Sequence, residues 1–427
     1  MRINIILLFL LPLLAVGAGI NGTWHLIVQR GDEPLHARVD FTTDGKRLTG
    51  SAFAGTEREL RFSGEFADGA VLFNAAYRNG GNAGTYSGRV DGDHITGTFR
   101  KGDDAFAWTA RRLNTADGPA QTHVFDPVQF HRFFASTIAP ALRIQPGDTI
   151  RTWTVDSSGR DAKGTARSPA GNPQTGPFYV ENALPGDTLA ITFRRVRLNR
   201  DTARSGVWLG PSTVRPLYFR DTKYDPSFRG EWKLDRDQGY ALLANPTPRL
   251  KNFRVKTRPI VGCVAVAPPP GESFPTYWPG SFGGNMDYNG LQEGVTVYLP
   301  VYVPGALLFV GDGHAAQGDG ELNGDALETS LDLEFTVNVV RGQGISGPRM
   351  ENAEWVMASG ISNSLNEALQ AATTSLARWV AHEYKLNPNE TAIVLGTSVR
   401  FDVAEVVDPL VHIVAKLHKD VLATLKE

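Results

Sequence analysis

Between Gly19 and about Leu113, apolar and polar residues alternate with period two in eight short runs, from Gly22-Thr-Trp-His-Leu-Ile-Val28 to Ala105-Phe-Ala-Trp-Thr-Ala110. Turns rich in Gly and Asp, such as Thr43-Asp44-Gly45 and Val90-Asp91-Gly92-Asp93, separate them. This predicts a meander of up to eight antiparallel strands, and closing it into a small barrel would hide the strand edges. No candidate chemistry falls in this stretch. It reads as an accessory module serving a ligand, a neighbouring subunit or only its own packing.

Residues 114–122 are polar and turn-rich and read as a linker, after which a larger body spans residues 123–427. Pro146-Gly147-Asp148-Thr149 and Pro185-Gly186-Asp187-Thr188 are near copies, each leading into an alternating run. Their recurrence predicts Pro-Gly turns that start strands of a β-sandwich built from similar units. Residues 199–258 are polar, aromatic and irregular, and are expected to form long loops or an insertion. The apolar run Leu299 to Val310 predicts one or two buried strands.

Helical periodicity enters only near the C-terminus. Ser364-Leu-Asn-Glu367 matches a capping box, followed by apolar positions at helical spacing to about Tyr384. Asp408-Pro409 predicts a second helix start, while Thr391 to Leu395 and Ser398 to Asp402 predict strands. The predicted fold class is thus mainly β: a sandwich-based body with a C-terminal α/β portion, preceded by a small antiparallel β-barrel-like domain. The α/β tail reads as packing or homo-oligomer surface.

Composition adds limits. At 427 residues the chain exceeds one ordinary core, and 45 Gly with 26 Pro agree with many strands and turns. A net charge of -2 without a basic, aromatic-interleaved run argues against nucleic acid as partner. Residues 1–18 have a basic residue, an apolar core and a small-residue end, which predicts an export signal and a periplasmic or secreted protein. Their apolar stretch falls short of the ~20 residues a spanning helix needs and contains Pro12, so no membrane association is expected after cleavage. Cys263, the only cysteine, lies in an apolar run and reads as a buried, inert thiol.

Several chemistries can be set aside. Gly342-Gln-Gly344-Ile-Ser-Gly347 matches G-x-G-x-x-G but opens no apolar-periodic helix, so no dinucleotide site is expected. No G-x-S-x-G elbow is present, and His382-Glu383 lacks the second histidine of a zincin helix. A metal site would therefore have to be assembled from separate strands. Gly311 to Glu321 packs four glycines, His314 and the carboxylates Asp312, Asp319 and Glu321 into eleven residues after an apolar run. Gly283-Gly-Asn-Met-Asp287 and Thr154-Val-Asp156 supply further acids. One imidazole with two or three carboxylates suits Zn²⁺ or a similar divalent ion; the bland alternative is a solvated loop histidine among Asp-Gly turns.

From about His123 onward the chain resembles the acetamidase/formamidase family. The resemblance rests on an ordered series: Phe130-His131, Pro140 to Thr149, Val155-Asp156, Asn172-Pro-Gln-Thr-Gly-Pro177 and Ala183 to Leu189. It continues through Val261 to Pro268, Gly283 to Asp287, Leu299-Pro-Val301, Gly305 to Glu321 and Val406-Val-Asp-Pro409. The resemblance implies a sandwich-based amidase with a divalent metal, and maps the family's acidic and histidine positions onto Asp156, Asp287, His314 and Glu321. The reading that follows has Asp156, Asp287 and His314 as metal ligands, the ion being zinc or similar. Glu321 or Glu328 serves as general acid/base, and Asn172 and Asn285, with His131 open beside them, contact a small amide substrate. Asp312 and Asp319 are assigned to turns. The implied activity is hydrolysis of short linear amides to carboxylate and ammonia. The signal-like start and the extra β domain depart from the family pattern, and the alternative is an exported, non-catalytic binding protein on the same scaffold.

Overall fold

The computed structural model describes residues 19–31, 33–113 and 118–425. The expected export signal, residues 1–18, and the first part of the expected linker lie outside the described residues. The chain divides into two compact units, considered separately.

The first is a closed barrel of eight antiparallel strands in sequence order, running from Gly22–Val28 to Asp104–Arg112, which pair with each other to close it. Alternation does the sorting: in Ala70–Tyr77, Val71, Phe73 and Ala75 point inward while Leu72 is exposed. The interior is filled by rings. Phe73 stacks on Tyr86 at 4.8 Å, Tyr86 lies 4.5 Å from Phe99, and Trp108 meets both Phe73 and Tyr86 edge-on. A barrel of eight strands is just wide enough for side chains to fill, and burial among these rings pushes the Tyr86 phenol up to about 12.

The second unit carries two large sheets. One has nine strands, in which Thr188–Leu198 and Leu331–Val340 form the longest pairing near the centre. The other has eleven, with Leu308–His314 and Ile260–Ala265 adjacent in its middle. Both contribute to one core: Phe178 from the second sheet meets Phe335 of the first at 5.8 Å, beside Phe193, Val264, Leu299 and Phe309. Burial on both faces explains why Ile260–Ala265 reads as an unbroken apolar run.

The C-terminal portion departs from expectation in two places. Leu365–Glu383 is a helix, capped by Ser364 accepting from Glu367 N–H, and it lays Ala368, Ala372, Leu376 and Val380 on the nine-stranded sheet. Gly360 lets it approach: a Cβ there would fall 1.8 Å from the Ala368 carbonyl oxygen. Residues expected as a strand, Thr391 to Leu395, instead belong to the helix Pro388–Ser398, started by an Asn387/Glu390 capping box with Pro388 in its first turn. Conversely, the expected helix after Asp408-Pro409 is the strand Val411–His418, held between Trp355–Ser362 and Arg400–Glu405. Two flanking ladders outweigh a local start signal, because helix propensity is a weak prior against tertiary pairing. Residues 199–258 are also more regular than expected. Thr202–Arg204, Glu231–Asp235, Tyr240–Leu243 and Arg254–Lys256 extend the eleven-stranded sheet, with a short helix, Pro216–Asp221, between the first two. Among the described residues no helix is long and apolar enough to cross a membrane.

Candidate metal centre

The glycine-rich stretch begins as strand, not loop. Leu308–His314 is buried throughout, so Asp312 and His314, two residues apart, project on the same face. His314 stands directly opposite Glu328 across one neighbouring ladder and Ile260 across the other. Gly262 lies beside them in Ile260–Ala265, and its carbonyl accepts from both Met286 and Asp287 N–H, bringing the segment after Gly283–Asn285 to the same point. Four chain segments thus converge there.

The side chains meet at His314 Nε2. It lies 3.3 Å from Glu328 Oε1, 3.4 Å from Asp312 Oδ1 and 3.8 Å from Asp287 Oδ1. Glu321 joins through a second grouping with His314 and Glu328. Two donor atoms each about 2.1 Å from one tetrahedral ion stand roughly 3.4 Å apart, so these separations fit a shared cation. The hydrogen-bonding pattern agrees. Among the described residues, Asp287 Oδ1, Asp312 Oδ1, His314 Nε2 and Glu328 Oε2 are buried without a hydrogen-bond partner. Three carboxylate oxygens and an imidazole nitrogen buried without partners are costly unless something occupies the space they face. Gly262 leaves the room: a Cβ there would fall 2.4 Å from Asp287 Oδ1 and 2.8 Å from Asp312 Oδ2.

Charge leads to the same place. Burial pushes the Asp287 carboxyl well above its ordinary range, and the neighbouring Glu321 and Asp312 add to it. Burial likewise raises Glu321, whose Oε1 accepts from Ala326 N–H at 2.9 Å. Burial opposes a charged imidazole at His314, but Asp312 and Glu328 outweigh it and hold its pKa well above the usual value. One imidazolium cannot neutralise four carboxylates, and a divalent cation would supply the missing charge while displacing a proton. The site also gathers unusual backbone. Asn172, Asp287, Asp312 and Glu321 all adopt positive φ, between 37° and 60°, a conformation that costs energy and tends to persist where the surroundings enforce it.

His314 is oriented from behind. Gln317 Nε2 donates to the carbonyl oxygens of Asp287 and Ala404, which fixes its amide so that Oε1 accepts from His314 Nδ1 at 2.9 Å. With Nδ1 protonated, Nε2 is the atom left for a metal.

The sequence-predicted residues divide accordingly. The structure brings together Asp287, His314, Glu321 and Glu328, with Asn172 and Asn285 beside them. It does not bring Asp156. That carboxylate accepts from Arg200 at 2.8 Å and from Ser158 and Arg160, in a buried structural pair that takes the place of the expected ligand role. His131 pairs through its backbone with Gln174, and its half-buried ring packs edge-on against Phe309, outside the ligand groups. Asp319 accepts from Asn289 at an exposed position, as a turn residue would. Asp312, assigned to a turn in the sequence, belongs to the cluster instead. The available signal was strand alternation carried into the glycines. Asp408 was also missed: it is only partly buried, and its Oδ2 accepts from Asn285 Nδ2 at 2.8 Å. Burial raises its pKa to about 7, against the pull of that hydrogen bond.

Known proteins share this framework. Residues 265–407, which include the clustered acids and His314, match the acetamidase/formamidase family model. The acetamidase of Yersinia enterocolitica is 28% identical with a TM-score of 0.60, over 72% of this chain and 93% of that one. The acetamidase of Bacillus halodurans is 25% identical with a TM-score of 0.61, over 71% of this chain and all of that one. In sequence, a 61-residue segment is 39% identical to the acetamidase of Mycolicibacterium smegmatis, covering 14% of this chain. The matched segments span between 10% and 17% of the length of the curated relatives.

Proposed function

We propose that the chain is a metal-dependent amidohydrolase that cleaves the C–N bond of short linear amides, of the formamide or acetamide type, to a carboxylate and ammonia. One observation carries this reading: the buried, unpartnered Asp287 Oδ1 and Asp312 Oδ1 face the equally unpartnered His314 Nε2, which also groups with Glu321 and Glu328, within a segment that matches the acetamidase/formamidase family model. The likeness to the acetamidases supports the reaction class. The non-catalytic alternative is not favoured, since Asp287, Asp312 and His314 group with unpartnered buried atoms.

Asp287, Asp312 and His314 would hold zinc or a comparable divalent ion. When bound, such an ion lowers the pKa of its water towards about 7 and polarises a carbonyl oxygen. His314 presents Nε2 because Gln317 holds the proton on Nδ1. Glu321, buried and with its pKa raised, is suited to hold a proton at its carboxylate and pass it to the departing nitrogen. Glu328, opposite His314, is the other candidate for taking the proton from water. Burial of the cluster excludes bulk water, and a dry site strengthens every charge interaction inside it.

The test is ammonia release from a graded series of linear amides, from formamide upward, by protein loaded with zinc and by the same protein after chelation. Release that depends on the ion and falls with amide size is expected. No release from any amide by zinc-loaded protein would contradict the proposal.

A further inference from the structure

Behind the acids stands a chain of three carboxamides. Gln174 Nε2 donates to both the backbone and side-chain oxygens of Asn172, each at 2.9 Å. Asn172 Nδ2 donates to Asn285 Oδ1 at 2.5 Å and to Asp312 Oδ2 at 3.1 Å. Asn285 Nδ2 donates to Asp287 Oδ2 and to Asp408 Oδ2. Every side-chain N–H of the three amides has an assigned acceptor, and the direction is forced: flipping Asn285 would turn its oxygen onto two carboxylates.

The consequence lies in which oxygens remain. In both Asp287 and Asp312 the ladder holds Oδ2, and in both it is Oδ1 that is unpartnered and faces His314 Nε2. The amides therefore set the rotation of two carboxylates. Asn172, at positive φ, and Gln174, completely buried, are committed to this arrangement. Gly311 admits it, since a Cβ there would fall 2.4 Å from Gln174 Oε1.

We propose that Gln174, Asn172 and Asn285 are positioning residues, a carboxamide ladder that aims Asp287 and Asp312 at a divalent ion and ties them to Asp408, and that neither asparagine binds the substrate. This rests on the metal-dependent reading above. It replaces the expectation that Asn172 and Asn285 orient the amide, because their N–H groups are already spent on carboxylates and, for one of those of Asn172, on the Asn285 amide oxygen.

The experiment measures zinc affinity by chelator competition, together with kcat and KM for amide hydrolysis at saturating zinc, in the full chain and in Asn285→Ala, Asn172→Ala and the double variant. Each single variant is expected to lose roughly 10–100-fold in zinc affinity, the range typical of outer-shell partners. The double variant should lose less than the product of the two, since both act through one network. KM at saturating zinc should stay within about twofold, because uniform substrate binding is untouched. Should Asn285→Ala not fold, Asn172→Ala and Gln174→Leu read the same ladder. Variants that bind zinc as tightly as the natural chain while KM rises would overturn the ladder and restore a substrate contact, leaving the metal reading intact. A natural chain that takes up no zinc would overturn the metal reading, and this inference with it.

Discussion

His314 Nδ1 lies 2.9 Å from Gln317 Oε1, and the same glutamine donates to the Asp287 carbonyl. One side chain thus fixes the tautomer of the imidazole and the backbone that bears a neighbouring acid. Gln317→Leu removes both effects and leaves a buried N–H without an acceptor. Zinc affinity is expected to fall roughly 10–100-fold, with about 1–3 kcal/mol lost from the stability of the metal-free protein. Chelator competition and urea unfolding measure the two. An unchanged zinc affinity would mean that Nε2 needs no such support.

Asp156 and Arg200 form a buried pair outside the groups built around His314. Truncating one partner of a buried ion pair leaves the other charge uncompensated, at a cost of about 3–5 kcal/mol. Asp156→Ala should therefore lower the urea midpoint sharply while folded protein still binds its full complement of zinc. Loss of zinc with stability retained would return Asp156 to the ligand set.

His412 supplies a pH dependence of its own. Its Nδ1 contacts the Met286 carbonyl oxygen at 2.7 Å and its Nε2 lies 2.9 Å from Ser359 Oγ, in a fully buried setting. Burial lowers its pKa to about 4. A depressed folded pKa means that the unfolded chain takes up the proton first. The stability His412 contributes is complete above its unfolded value of about 6.5 and is lost as pH falls towards 4, by up to about 3 kcal/mol. Unfolding measured from pH 7 to pH 4 in the natural chain and in His412→Gln should show a shallower slope in the variant. Parallel slopes would contradict the assignment.

Much of this architecture was legible from pattern. The barrel strands alternate cleanly because one face is core and the other solvent, and Ser364 announced its helix. Elsewhere the determinant was tertiary. Val411–His418 is buried on both faces, so it shows no alternation that could separate strand from helix. Asn387-Pro388 with Glu390 did carry a legible helix start, which the β-branched residues after it obscured. Of the residues grouped around His314, Asp287, Glu321, Glu328 and His314 itself were named from resemblance and residue type. Asp312 was hidden by its glycine neighbours, which look like turns but are small for packing: a Cβ at Gly313 would meet Leu331 at 2.5 Å. Asp156 misled because an acid at a strand end looks alike whether it meets an ion or, as here, an arginine from far along the chain. The roles of Asn172 and Asn285 depended on which hydrogen meets which oxygen, and no sequence spacing encodes that.

The central claim is tested most directly by metal content measured alongside amide hydrolysis, in the natural chain and in His314→Ala. The natural chain is expected to hold a divalent ion, to release ammonia from formamide or acetamide, to lose that activity on chelation and to regain it with zinc. His314→Ala, lacking the nitrogen on which the acids converge, should lose more affinity than the roughly 10–100-fold of an outer-shell change and release no ammonia above background. Full ammonia release by metal-free His314→Ala would contradict the account.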